Sequence, residues 1–109
     1  MRVTVLGGGA WGTALASHAA RAGLPVRMWI REPEVAAAVN EKRENTAYLP
    51  GVGLPEGLRA TQPLAEALVD AETVLVVVPS EYCRAVYREA GGLAPAGAVA
   101  VSSLTYNTY

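Results

Sequence analysis

The 109-residue sequence predicts an α/β fold, a parallel sheet with helices on both of its faces. Three observations carry that expectation. Strand-like and helix-like segments alternate along the whole chain. Arg2 to Leu6 and Thr73 to Val78 are short, largely apolar runs, as strands buried on both faces must be. The first of them breaks directly into glycines and is followed by small and apolar residues at helical spacing.

Arg2 to Leu6 is a short β-branched run and reads as the first strand. Trp11 to Ala22 has helical spacing and is stopped by Gly23. Val26 to Ile30 reads as a second strand. Pro33 suits the first turn of a helix, where its missing N–H would have no partner, and starts a helix running to about Glu41. Lys42 to Arg59 is the least regular stretch, interrupted by Pro50, Gly51, Gly53, Pro55 and Gly57. Irregular segments of this length inside a compact domain usually serve a function. Arg59 to Thr61 forms a brief edge strand, and Pro63 opens a short helix through Leu68. Thr73 to Val78 is the most apolar run and is expected as a central strand. Glu81 to Ala90 is a helix stopped by Gly91-Gly92, and Ala98 to Ser103 is the last strand.

Right-handed crossovers between such strands assemble most naturally in the order 3-2-1-4-5, with the switch point between strands one and four. No repeat, low-complexity tract or linker divides the chain, so residues 1–109 read as one domain. A complete sheet of this kind would continue past strand five, so the chain reads as truncated.

Composition narrows the function classes. About half of the residues (51%) are apolar and mean hydropathy is +0.21, which suits a compact fold. The formal net charge of -1, with Lys42 the only lysine, argues against a nucleic-acid surface. Cys83 is the only cysteine, so neither an internal disulfide nor a zinc cluster can form. It reads as a small apolar helix residue. No secretory leader is visible, and no apolar stretch approaches the roughly 20 residues a membrane span needs. A cytoplasmic protein is expected.

The chemistry concentrates at the first glycines. Gly7, Gly9 and Gly12 satisfy G-x-G-x-x-G between a strand and a helix, the fingerprint of a Rossmann-type dinucleotide site. Gly7 permits the tight turn, Gly9 lets the backbone approach a pyrophosphate, and Gly12 lets the helix pack close to the strand. The helix that follows aims its unpaired N–H groups and positive dipole end at the phosphates. The ribose is read about 20 residues on, at the tip of strand two. There Arg31 suits the 2′-phosphate of NADP, while the adjacent Glu32 suits the 2′-hydroxyl of NAD, so NADP or NAD is expected. Ser80 follows strand four, where this fold places its ligand crevice. It reads either as a cofactor neighbour or as a helix cap. His18 reads as a packing or surface residue of the first helix, and Tyr82 and Tyr87 read as helix packing residues.

With these residues placed, the chain resembles the N-terminal domain of the bacterial-type NAD(P)-dependent glycerol-3-phosphate dehydrogenases. The resemblance runs from Arg2 to about Thr105. Its specific parts are the run from Val5 through Gly7-Gly8-Gly9-Ala10-Trp11-Gly12 to Ala16, and Arg43-Glu44-Asn45 leading into Tyr48-Leu49-Pro50-Gly51. Val76 to Ser80 and the closing Val101-Ser102-Ser103-Leu104-Thr105 match as well. Trp11 within the turn, together with the Tyr-Leu-Pro-Gly loop, is more specific than the glycines alone.

The resemblance implies reduction of dihydroxyacetone phosphate to sn-glycerol 3-phosphate with NADPH or NADH, supplying phospholipid synthesis. It implies that Ala10 and Trp11 line the cofactor, with Arg31 and Tyr48 contributing. Ala10 stands where the family usually has serine, so a hydroxyl contact is lost while a backbone one survives. The family continues with a lysine after its Ser-x-Thr stretch and then with an all-helical substrate domain. Here Tyr106 holds the lysine position and that domain is absent, so no catalytic residue is assigned and the chain alone is expected to be inactive. A homodimer is left open. Two other readings compete: a different reductase with the same N-terminal fold, of ketopantoate or β-hydroxyacid type, and a non-catalytic NAD(P)-sensing module. Trp11 and the loop from Tyr48 to Gly51 speak against the first; the missing lysine and second domain suit the sensing module, which leaves the Tyr-Leu-Pro-Gly loop unexplained.

Overall fold

A computed structural model describes residues 1–78 and 80–102, with the backbone alone for Ser80 and Ser102. Five strands and four helices alternate among them: β1 (Val3–Leu6), α1 (Ala10–Arg21), β2 (Val26–Trp29), α2 (Pro33–Lys42), β3 (Leu58–Thr61), α3 (Leu64–Leu68), β4 (Thr73–Val76), α4 (Ser80–Gly91) and β5 (Val99–Ser102). All described pairings are parallel and the sheet order is β3-β2-β1-β4-β5, as the sequence predicts. Among the described residues no helix is long and apolar enough to cross a membrane.

Period-two alternation divides β1 and β4 between two helical layers. Val3, Val5, Val26, Met28, Leu58 and Ala60 pack on Ala16, Ala20, Val35 and Val39 of α1 and α2. Leu6, Val74 and Val76 pack on Leu64 and Leu68 of α3 and Val86 and Ala90 of α4. Cys83 is half-buried against the second cluster, as an apolar helix residue would be.

The element boundaries shift slightly from the predicted ones. Arg2 and Ile30 lie outside β1 and β2, although the Ile30 amide still donates to Thr61 at 3.0 Å. Pro63 caps α3 rather than belonging to it, and Gly91 ends α4 from within. The larger difference is at β4. The apolar run continues through Val78, but strand pairing ends at Val76. Val77 turns into the α1–α2 core and Val78 into the opposite one. Both are apolar because they are buried, not because they are paired. The middle strand is β1, with β4 beside it.

The β3 edge is closed by side chains. Asn40 of α2 accepts from the Ala60 amide at 2.8 Å and donates to the Ala60 carbonyl at 2.9 Å, standing in for a further strand. Arg43 does the same for the carbonyl of Leu58 at 2.8 Å and also holds that of Pro55. Asn40→Ala leaves two backbone groups of a strand edge without these partners. A loss of roughly 1–3 kcal/mol in unfolding free energy is expected from denaturant titration.

Candidate functional site

The strand register sets the level of the site. Leu6 pairs with Trp29 on one side and Val76 on the other, so β1, β2 and β4 end together. The ladders run just past that line: the Gly7 amide donates to Trp29 at 3.1 Å and the Val77 amide to Leu6 at 2.9 Å. Beyond it the crossovers from β1 and β4 leave to opposite faces, opening a crevice at the switch point.

Gly7 has φ +137, and a Cβ there would stand 2.1 Å from the Val77 carbonyl oxygen. Both conditions demand glycine. A Cβ on Gly12 would meet the Gly7 carbonyl oxygen at 2.6 Å, which is how the first turn of α1 sits directly behind the loop. Gly8 also leaves no slack, since its Cβ would lie 3.0 Å from Ile30. Gly9 is the N-cap of α1 at φ -77, a value any residue adopts. That helix has no side-chain cap and no acidic residue in its first turn. The positive end of its dipole is therefore not neutralised by an acidic side chain of its own first turn.

The turn opens into a cleft of about 320 Å³ lined by Gly7, Gly8, Gly9, Trp29, Arg31, Glu32, Tyr48, Val77, Val78, Tyr82 and Val86. The structure thus brings together Gly7, Gly9, Arg31 and Tyr48 of the predicted site residues. Ala10 and Trp11 lie on the exposed first turn of α1 rather than in this lining, and Gly12 is buried beneath the turn. Ser80 opens α4; its side chain lies outside the described residues, as do Pro79 and Tyr106. His18 is exposed near the far end of α1.

Tyr82 corrects its sequence reading. It is 48% exposed and faces the cleft, with the Arg31 guanidinium 5.9 Å from its ring centroid, so it does not serve to pack α4. Across the cleft the Tyr48 hydroxyl donates to the Glu32 carboxylate at 2.5 Å. Neither contact carries a local signal in the sequence, because each joins elements far apart along the chain. Asn45, quoted above only within a motif, is fully buried and joins the Tyr48 loop to the glycine turn.

The family model described as NAD-dependent glycerol-3-phosphate dehydrogenase N-terminus matches residues 2–105. The chain belongs to this family. It is similar to the glycerol-3-phosphate dehydrogenase (NAD(P)+) of Rhodospirillum rubrum, with 56% identity over 93 residues, covering 85% of this chain and 27% of that protein. Among solved structures it is similar to glycerol-3-phosphate dehydrogenase from Coxiella burnetii, with TM-score 0.89 and 33% identity over 95% of this chain and 32% of that one. The enzyme of the same name from Saccharomyces cerevisiae gives TM-score 0.89 and 29% identity, over 96% and 33% respectively. The chain therefore spans about a third or less of these glycerol-3-phosphate dehydrogenases.

The Tyr48 phenol titrates above its ordinary value of 10.0, first because its proton is held by Glu32, then because the charge of Glu32 disfavours a phenolate. The hydrogen bond is intact below the ordinary value and is lost as pH rises through the elevated one. Glu32→Gln removes the charge and should return the titration toward the ordinary range. Phenolate absorbance, assigned by its disappearance in Tyr48→Phe, reads this. An unchanged midpoint means that the pair does not form.

Proposed function

We propose that the chain is the dinucleotide-binding part of a glycerol-3-phosphate dehydrogenase, with NADP or NAD held at the glycine turn. The enzyme would interconvert dihydroxyacetone phosphate and sn-glycerol 3-phosphate and feed phospholipid synthesis, in the cytoplasm and as a homodimer. The observation that carries the reading is the turn itself. Neighbouring protein atoms exclude side chains at Gly7, Gly8 and Gly12, so the backbone turns tightly into the start of α1 at a topological switch point. The match over residues 2–105 and the 56% identity to the Rhodospirillum rubrum enzyme support the same conclusion.

The residues fit the group. Gly7, Gly9, Ala10 and Gly12 would leave the backbone free to meet a pyrophosphate, with Trp11 beside it. Arg31, Glu32 and Tyr48 would receive the adenosine ribose, and Ser80 would stand near the crevice mouth. Bound there, the dinucleotide supplies a hydride donor or acceptor. This chain's contribution is to hold and orient it. The carbonyl substrate and the proton donor fall to the remaining two-thirds of the proteins it resembles.

Calorimetric titration of NADH and NADPH tests the reading. Gly9→Val should abolish binding of both by placing side-chain bulk where the pyrophosphate approaches. Arg31→Ala should weaken NADPH by roughly 1.5–3 kcal/mol and leave NADH nearly unchanged. Equal affinity in wild type and Gly9→Val would move the phosphate site elsewhere. Proportional weakening of both nucleotides in Arg31→Ala would remove the 2′-phosphate contact.

Dihydroxyacetone phosphate reduction by the 109-residue chain alone should be undetectable. Tyr106 stands where the family's lysine would supply a cation. Holding hydride donor and carbonyl at reacting distance can contribute ~7–11 kcal/mol, and no described element does so. The assay is NADPH oxidation at saturating substrate. Turnover above that of Gly9→Val would place catalytic groups within this chain.

A further inference from the structure

We infer that Asn45 is a positioning residue for the dinucleotide site, fixing the plane of the Gly8–Gly9 peptide so that the Gly9 N–H is turned toward the phosphates. The inference rests on the reading of the glycine turn given above. β1 ends at Leu6 and α1 begins at Ala10, so neither ladder sets the orientation of the peptide between Gly8 and Gly9. With no side chain on either residue, little else restrains it.

Asn45 supplies the restraint from 37 residues away. It is 0% exposed, and its side-chain amide donates one hydrogen to the Gly8 carbonyl at 2.8 Å and the other to the Thr13 hydroxyl at 2.8 Å. Thr13, also 0% exposed, passes its own hydrogen to the Gly9 carbonyl at 2.8 Å. An amide nitrogen has two hydrogens, and both are committed. In a planar trans peptide the C=O and N–H of one unit point in opposite directions. Holding the Gly8 carbonyl inward toward Asn45 therefore sends the Gly9 N–H the other way. The Gly9 carbonyl is held inward by the Thr13 amide, at 3.0 Å, as well as by the Thr13 hydroxyl, and this does the same for the Ala10 N–H.

A purely local role accounts for only part of this geometry. The Asn45 side-chain oxygen Oδ1 accepts from the Tyr48 amide at 3.0 Å, an ordinary turn contact that any loop asparagine can make. Such a turn leaves the amide hydrogens unassigned. Here they reach across to the glycine loop and to the first turn of α1, so one side chain sets both the entry to Tyr48 and the direction of the phosphate-facing amides.

The test compares two probes on the full chain: ADP-ribose, which carries the pyrophosphate, and adenosine, which does not. Asn45→Ala and Thr13→Val should each weaken ADP-ribose by roughly tenfold or more, as loss of a well-aimed hydrogen bond to an anion would. Adenosine affinity should stay within about twofold in the same variants. Thr13→Ser keeps the hydroxyl and should restore ADP-ribose binding. Thermal melts show which variants are folded, and if Asn45→Ala is not, the Thr13 pair decides. Unchanged ADP-ribose affinity, parallel loss of both probes, or a Thr13→Ser variant as weak as Thr13→Val would each overturn the inference. If wild type binds adenosine but gains nothing from the pyrophosphate, the dinucleotide reading itself fails, and this one with it.

Discussion

The site depends on one backbone approach that tolerates no side chain, the passage of Gly7 beside the Val77 carbonyl. A methyl group there would overlap that oxygen at 2.1 Å. Because β1 and β4 pass so closely, the chain can turn sharply out of the sheet and begin α1 directly above the strand ends. Gly12 then closes the same contact from the helix side, 2.6 Å from the Gly7 carbonyl by the same measure. Strand, turn and helix are thereby fixed relative to one another by excluded volume, before any polar interaction is considered.

Polar side chains do the next layer of work, and they do it mostly on main-chain atoms. The segment between α2 and β3 has no ladder of its own apart from the Asn45–Leu49 bridge. Its course is set by Arg43 on the carbonyls of Pro55 and Leu58, by Glu44 on the Gly51 amide at 3.0 Å, and by Arg21 on the Gly53 carbonyl at 3.1 Å. Arg43 itself ends α2 in the left-handed region, at φ 56, where a non-glycine residue is uncommon. Three backbone-directed hydrogen bonds from its guanidinium offset that conformational cost.

How much of this was legible in the sequence follows from the range of each interaction. The sheet order was, because buried parallel strands are apolar throughout and crossovers are right-handed. The glycine turn was, because a forbidden Cβ acts at the residue itself. The end of β4 was not: Val77 and Val78 are as apolar as the strand before them, and hydropathy reports burial rather than pairing. Tyr82 was misread for a related reason, since an aromatic residue on a helix gives no sign of whether it faces a core or a cleft. Asn45 was visible only as part of a familiar string, because its partners Gly8 and Thr13 lie 37 and 32 residues away. The irregularity of Lys42 to Arg59 set the segment apart, but gave no sign that its Tyr48 lines the cleft.

The cleft is lined by both polar and apolar side chains, drawn from different parts of the fold. Val77, Val78 and Val86 come from the layers of the fold and meet the ligand space with hydrocarbon. Arg31, Glu32 and Tyr48 come from the tip of β2 and from the irregular segment, and they bring charge that is already partnered. Glu32 accepts from Tyr48 and Arg31 lies over Tyr82, so neither ion waits in isolation for a ligand. A ribose hydroxyl entering here must share the Glu32 carboxylate with a phenol, which weakens the acidic preference that a lone carboxylate would impose. An added phosphate would find Arg31 held only by a ring face, a contact of about 0.5–1 kcal/mol at an exposed position and weaker than a charge-assisted bond.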